Sequence, residues 1–597
     1  MKRSDINNKY KWDLSKMYKN TKELETDEKK IKELVKKIVK LKNMIMDNSN
    51  NLLNTLNLYY NINRLTEKLY VYAKMDFDTD TKDNNKITLI GKYEKLIAKI
   101  NESIFFVFLE ILKSDIKVIN KYIKENEYLK LYEPLLKEQF RFKKHILSDK
   151  EEELLSHMSE ILSSNSNTYE SLLNSSFKFK SFKVDNKTYE LTTTNFIDYL
   201  RNKNRDIRKN AFNNYYLLFD QYKESLANTF KYNVKNKWFI SNTRKYKSPL
   251  EKSLFNNDLN IKIYDNLINK VNSRLDLLHK YVALKKDKLK LDEFHFYDLY
   301  IDMLDNKDNK KYTYEEGVKI IKNNLKSLGD NYLEKLDYIF NNAIIDVYPS
   351  ESKRSGAYSF GMFDSDPYIL LNYDDSLDSV MTLAHEVGHS IHSLYQNENN
   401  PYIYANYPIF LAETASIVNE IILAKNIIDT SLNNEVKKEI LDELMDKFRA
   451  TLYRQTHFAE FEKIIYEKEN QDEVLTADLI SNIYLDLTKK YYGKDIIYDD
   501  YIKLEWMRIP HFYTPFYVYQ YATGISIASF IASKILNKDK KFIDKYINFL
   551  KSGSDKKVID IISELKIDIN ESDYIDNAFD IFDWAMEEFK KIGDVNE

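Results

Sequence analysis

Thr382-Leu383-Ala384-His385-Glu386-Val387-Gly388-His389 decides how the rest of this chain is read. The run is rich in apolar, helix-forming residues, and its spacing predicts an α-helix. Residues four apart on a helix lie about 40° apart round the axis and one turn along it. The imidazoles of His385 and His389 therefore leave from one face. Two neutral imidazoles held this way can share one Zn²⁺. Glu386, about 100° round from the first, reaches toward a water on the metal rather than the metal itself. Histidine is scarce, with nine in 597 residues. The pattern therefore arises by chance in roughly one chain per hundred of this composition.

A third ligand is expected from Ile409 to Ala424, a strongly apolar helical run that nevertheless holds Glu413 and Glu420. These are seven apart and share a face. A carboxylate in such a run costs several kcal/mol or takes up a proton unless it finds a partner. A metal ion removes that penalty, which makes Glu413 the expected third ligand and leaves a fourth position for water. Glu420, two turns on, is placed to hydrogen-bond a ligating histidine and fix its tautomer. A salt bridge to a buried Lys or Arg is its alternative. His392 shares the face of His385 but lies about 10 Å along the axis, so packing or support of a ligand is its expected role. The longer His-Glu-x-x-His-x-x-Gly-x-x-His pattern fails, because position 392 is His and Tyr395 follows three later.

A second histidine lies in Trp506–Gly524, which holds two of the eight prolines and one of the ten glycines. That composition predicts a shaped loop. His511 and the four tyrosines 513, 517, 519 and 521 offer donors suited to a developing oxyanion. With 47 tyrosines in the chain, a packed aromatic loop is the plainer alternative.

At 597 residues the chain exceeds a single core, and at least two lobes are expected. Net charge is −3 with acids and bases nearly balanced, so nucleic acid is not an expected partner. The absence of cysteine rules out disulfides and thiolate chemistry and fits a reducing compartment. No apolar h-region follows the first residues, and no stretch approaches twenty uncharged apolar residues. The expectation is a soluble cytoplasmic protein with no membrane partner. Glycine and proline total 18, about 3% against a usual ~12%, which predicts a mainly α fold.

From Thr21 to about Ser171, apolar residues recur at three- and four-residue steps, helix after helix. Phe177–Val184 then alternates, Asp185-Asn186-Lys187 turns and Thr188–Leu191 returns, which predicts a β-hairpin. A boundary near Thr194 divides the chain into lobes 1–194 and 195–597. Helices resume to about Asn342. Breakers cluster between Ile344 and Tyr373, where Ala357–Phe360 and Tyr368–Asn372 are the expected strands.

His-Glu-x-x-His on a helix is a signature of zinc metallopeptidases, and other segments carry a more specific likeness. Tyr10-Lys11-Trp12-Asp13-Leu14, Arg244–Glu251, Gly356-Ala357-Tyr358-Ser359, Pro367–Tyr373, Ala412-Glu413-Thr414-Ala415-Ser416, Arg508–Tyr513 and Tyr517–Gly524 all contribute. Together they resemble oligoendopeptidase F, within the thimet-oligopeptidase-like zinc metallopeptidases. The resemblance spans nearly the whole chain. It implies one Zn²⁺ per chain held by His385, His389 and Glu413, with Glu386 as general base. It also implies that His511 and a tyrosine of the late loop steady the reaction intermediate. The thimet and neurolysin branch has a glycine-rich loop after its histidine that this chain lacks. The tyrosine therefore stays open, with Tyr519 preferred, then Tyr513, and Tyr517 assigned to substrate contact. The implied architecture is of the gluzincin type. Two helical lobes surround a deep substrate channel, and a small antiparallel β-sheet lies beside the zinc helix.

An exposed strand edge beside a zinc site can pair with an extended peptide through main-chain hydrogen bonds. Gly356 and Ala357 are assigned to that role, with a sheet that only braces the helix as the alternative. The expected function is endopeptidase cleavage of short unstructured peptides by a monomer or weak homo-oligomer. A carboxypeptidase or dipeptidase of the same zinc class is one alternative. A non-catalytic peptide-binding scaffold with structural zinc is the other, although structural sites are more often closed by four protein ligands.

Overall fold

Scarce glycine and proline leave long helical runs uninterrupted, among them Thr21–Val39, Ser49–Thr79, Asn84–Ile104 and Asp149–Ser171. The computed structural model describes residues 2–304, 310–407 and 409–594. Three of these helices start where a short polar side chain can satisfy free backbone donors. Asn20, Asn48 and Asp83 each accept from a backbone N–H of the first turn. Such caps contribute about 1 kcal/mol each.

The chain forms two compact units, each built from three separate segments. The first comprises 1–144, 310–423 and 534–565, and the second 145–309, 424–533 and 566–597. The cut expected near Thr194 falls inside the second unit. Contacts between residues far apart in sequence define the units, and a change in local texture carries no record of them.

In the first unit the N-terminal arm is stitched to the region that supports the site. Tyr10 accepts from the Val347 N–H (3.0 Å), and the Asp13 N–H donates to Ala343 (2.8 Å). The Tyr368 hydroxyl donates to the Asp13 carbonyl (2.8 Å), with Trp12 packed edge-on to the Tyr368 ring. Asp346, 1% exposed, is gripped by Lys353 (2.7 Å) and Arg3 (2.5 Å). Burial alone would raise its pKa, but the Arg3 hydrogen bond and the Lys353 charge outweigh that and hold it below the usual range. The adjoining sheet has three strands in the order Ile345–Asp346, Tyr368–Leu370, Tyr358–Phe360. Tyr358–Phe360 pairs antiparallel, as expected, and forms an edge. Ile345–Asp346 adds a parallel strand, so the sheet is mixed rather than purely antiparallel. That strand is two residues long, too short to leave an alternating pattern.

In the second unit, Phe182–Val184 and Lys187–Tyr189 form the expected hairpin, shorter than its alternating run. Asp185 and Asn186 both have positive φ (49° and 63°), as a two-residue type I′ turn requires. Residues 177–181 instead use their aromatics for packing, with Phe179 stacked on Tyr215. The late loop is rooted by Phe512, fully buried against Phe458 and Phe461. Among the described residues, no helix is long and apolar enough to cross a membrane.

Candidate metal centre

Ser376 caps the helix Leu377–Asn399, which carries the His-Glu-x-x-His run as expected. Glu413 and Glu420 lie on the next helix, Ile409–Thr430. Gly388 explains how the two come so close. A Cβ at this position would sit 2.6 Å from the Ser416 Cα and 3.0 Å from the Ala415 carbonyl. The helices thus cross backbone to backbone one residue before His389. The Asn419 amide, which donates to the Ala384 carbonyl (3.2 Å), ties the crossing.

This crossing brings three ligand atoms together. His385 Nε2 lies 3.1 Å from His389 Nε2 and 3.5 Å from a Glu413 oxygen, which is 3.8 Å from His389 Nε2. Ligand atoms of a tetrahedral zinc with bonds of about 2.0–2.1 Å lie roughly 3.3–3.4 Å from one another. The circle through these three atoms has a radius of about 2.0 Å, so one ion of that bond length reaches all of them. The donor set fits a zinc ion. Among the described residues, it is the group of acids and histidines close enough together to hold one.

Burial points to Glu420 rather than Glu413. The Glu413 side chain is 38% exposed, so the desolvation argument that singled it out does not apply there. It does apply to Glu420, at 4%, whose carboxylate engages His385 Nδ1 and leaves Nε2 aimed at the other donors. His389 is held neutral, its pKa lowered to about 4 by burial and then by the neighbouring His385. His392 is fully packed, stacked on Tyr407 at 3.9 Å.

Glu386 is not one of the three donors and is held by the sheet. It is 7% exposed, and the Ser359 N–H of the edge strand donates to its carboxylate. Burial, then the charge of Glu413, pushes its pKa up to about 7. A carboxyl poised there can both take and return a proton near neutrality. Ser359 is further tied to the helix through its hydroxyl, 2.8 Å from that of Ser390. Gly356 (φ +80°) and Ala357 lead into this edge, and the Gly356 carbonyl accepts from the Asn372 amide (2.8 Å). Beside them opens a cavity of about 670 Å³, lined among others by Ser359, Phe360, Ser393 and Ala412.

His511 belongs to the second unit and sits among Tyr517 (centroids 6.3 Å apart) and Tyr521 (5.9 Å). All three are half-buried. Burial, then the charge of Arg454, lowers the His511 pKa, which favours the neutral ring. The two tyrosines preferred from sequence are placed differently. Tyr519 is 1% exposed, with its hydroxyl bonded to Asn257. Tyr513 stacks on Tyr169 at 4.1 Å and shares a hydrogen bond with Thr229 (2.9 Å). Both hydroxyls are thus engaged within the protein, while the rings of Tyr517 and Tyr521 are the ones that stand against His511. Tyr521 lies in the helix Tyr519–Leu536, and Tyr517 just before it, with their rings 5.5 Å apart.

Residues 198–581 match the model of peptidase family M3, and residues 110–179 that of Oligopeptidase F. The chain belongs to peptidase family M3. It is a metallopeptidase. This M3 peptidase is 38% identical over 591 residues to Oligopeptidase PepF of Bacillus subtilis (strain 168), covering 99% of this chain and 88% of that one. It is 37% identical over 592 residues to an oligoendopeptidase F homolog of Lactococcus lactis subsp. lactis (strain IL1403), covering 99% and 98%. The crystal structure of oligoendopeptidase-F from Enterococcus faecium matches with a TM-score of 0.76 at 30% identity, covering 96% and 99%.

In this M3 peptidase, Glu420→Ala is expected to weaken metal binding about 10–100-fold, the usual cost of losing a ligand's hydrogen-bond partner. Competition with a chromophoric chelator measures it. Undiminished affinity would reduce Glu420 to a packing role.

Proposed function

We propose that this M3 peptidase is a zinc-dependent endopeptidase that cuts internal bonds of short, unstructured peptides. The observation that carries the proposal is the His385, His389 and Glu413 triangle with Glu386 held beside it by the edge strand. Zinc bound by those three residues would supply Lewis acidity for the scissile carbonyl and make water acidic enough to ionise near neutrality. Glu386 takes the proton from the attacking water and hands it to the leaving amine. The edge Tyr358–Phe360, with Gly356 and Ala357 before it, pairs with the substrate main chain and largely disregards side chains. His511, with Tyr517 and Tyr521 around it, donates to the developing oxyanion. The names of the bacterial relatives, oligoendopeptidases among them, support internal rather than terminal cutting.

The test is digestion of a varied set of quenched-fluorescence peptides by zinc-loaded protein, with products mapped by mass spectrometry. Internal cuts that stop with chelator and return with zinc are expected. Terminal cuts alone would make the protein an exopeptidase, and no cuts would refute the activity. In the same assay His511→Ala should lower kcat about 10²–10³-fold, as expected for loss of one oxyanion donor. An unchanged kcat would remove His511 from the reaction.

A further inference from the structure

The second unit holds a cavity whose charge the chemistry above does not use. Its volume is about 380 Å³, within the range of small-ligand sites. Lys237, from the helix Lys223–Thr243, and Lys252, from Pro249–Phe255, both line it. Both are half-buried, yet neither ammonium has a carboxylate partner among the described residues. Burial lowers both pKa values, and the nearest charges make matters worse. Lys252 acts on Lys237, and Arg244 acts on Lys252. Arg244 is itself paired with Glu152 (2.8 Å). Two neighbouring cations withdrawn from water with no anion between them are unfavourable unless a ligand brings one.

The rest of the lining indicates what kind of anion fits. Asn256, Asn257 and Gln520 supply side-chain amides suited to main-chain N–H and C=O groups. Tyr517 lines the same cavity, and its ring stands 6.3 Å from that of His511. A bare oxyanion would use the lysines but leave the amides idle, whereas a peptide end uses both.

We propose that Lys237 and Lys252 form a subsite that captures a carboxylate at the end of a peptide substrate. This rests on the peptidase reading. The carboxylate has two possible sources, the peptide's own C-terminus or an acidic side chain near it, and both share the same recognition by paired ammonium groups.

The experiment measures binding of fluorescein-labelled heptapeptides to zinc-loaded Glu386→Gln protein by anisotropy. One peptide ends in Gln with a free carboxylate, one in Gln amide, and one in Glu amide. The free acid, the Glu amide or both are expected to bind about tenfold tighter than the Gln amide, the scale of one charge-assisted contact. Lys237→Gln combined with Lys252→Gln should erase that preference, and each single change should reduce it. Tighter binding of the free acid identifies the C-terminus as a source, and tighter binding of the Glu amide identifies the side chain. Either result supports the subsite. Equal binding of all three peptides, or a preference that survives in the double variant, overturns it. Cleavage of these peptides by Glu386→Gln protein would count against the proposed mechanism while leaving the binding ratio readable.

Discussion

Glu386→Gln is expected to lower kcat on quenched peptides about 10³–10⁴-fold, at the upper end for loss of one acid–base group, because both proton transfers pass through it. The change is conservative in shape. The amide oxygen can still accept from the Ser359 N–H that now meets the carboxylate. Glu386 lies outside the donor triangle, so zinc content should stay at one per chain. The pairing of intact metal with lost turnover separates the base from the ligands, whose removal would cost both. Peptide hydrolysis within about tenfold of the parent would assign the proton transfers to another group.

Gly388→Ala is the second large effect, and here the damage begins in packing. The atoms a new Cβ would meet, at 2.6, 2.9 and 3.0 Å, all belong to the backbone of Ala415 and Ser416 and cannot rotate away. The helices must part, and overpacking of this kind costs about 1–3 kcal/mol. Helix propensity returns up to about 1 kcal/mol, so the net effect is destabilising. Because His389 and Glu413 face each other across this crossing, parting the helices also widens the donor triangle. Zinc affinity should fall at least about tenfold, with Tm reduced by a few degrees. Gly91→Ala is the control. It lies in the helix Asn84–Ile104 with open space around it, and should gain about 0.5–1 kcal/mol. Parent-like zinc binding in Gly388→Ala would show that the crossing does not set the donor geometry.

The part of the site carried by helical periodicity was legible in the chain. His385, Glu386 and His389 fall on one short helix, and Glu413 and Glu420 share a second. Their spacing alone determines which face each occupies. Helical position placed Glu420 within reach of a ligating histidine, with a salt bridge as the alternative, and its carboxylate meets His385 Nδ1. The role of Gly388 did not, because close approach of two backbones depends on the second helix as much as on the glycine. The surroundings of the tyrosines were hidden for a related reason. Tyr513, Tyr517, Tyr519 and Tyr521 look alike in sequence terms, and only the fold shows that Tyr513 meets Tyr169 and Thr229 and that Tyr519 meets Asn257. The interleaved units lay out of reach as well, since each draws on three distant segments. The unpaired Lys237 and Lys252 likewise show nothing unusual in a chain with 90 basic residues until their surroundings are known.

Diffraction at the zinc absorption edge, from crystals grown with zinc, tests the metal centre most directly. One anomalous peak is predicted, about 2.0–2.1 Å from His385 Nε2, His389 Nε2 and a Glu413 oxygen, with no fourth protein ligand. A peak elsewhere, a site that leaves out Glu413, or a fourth side chain closing the coordination would contradict the account.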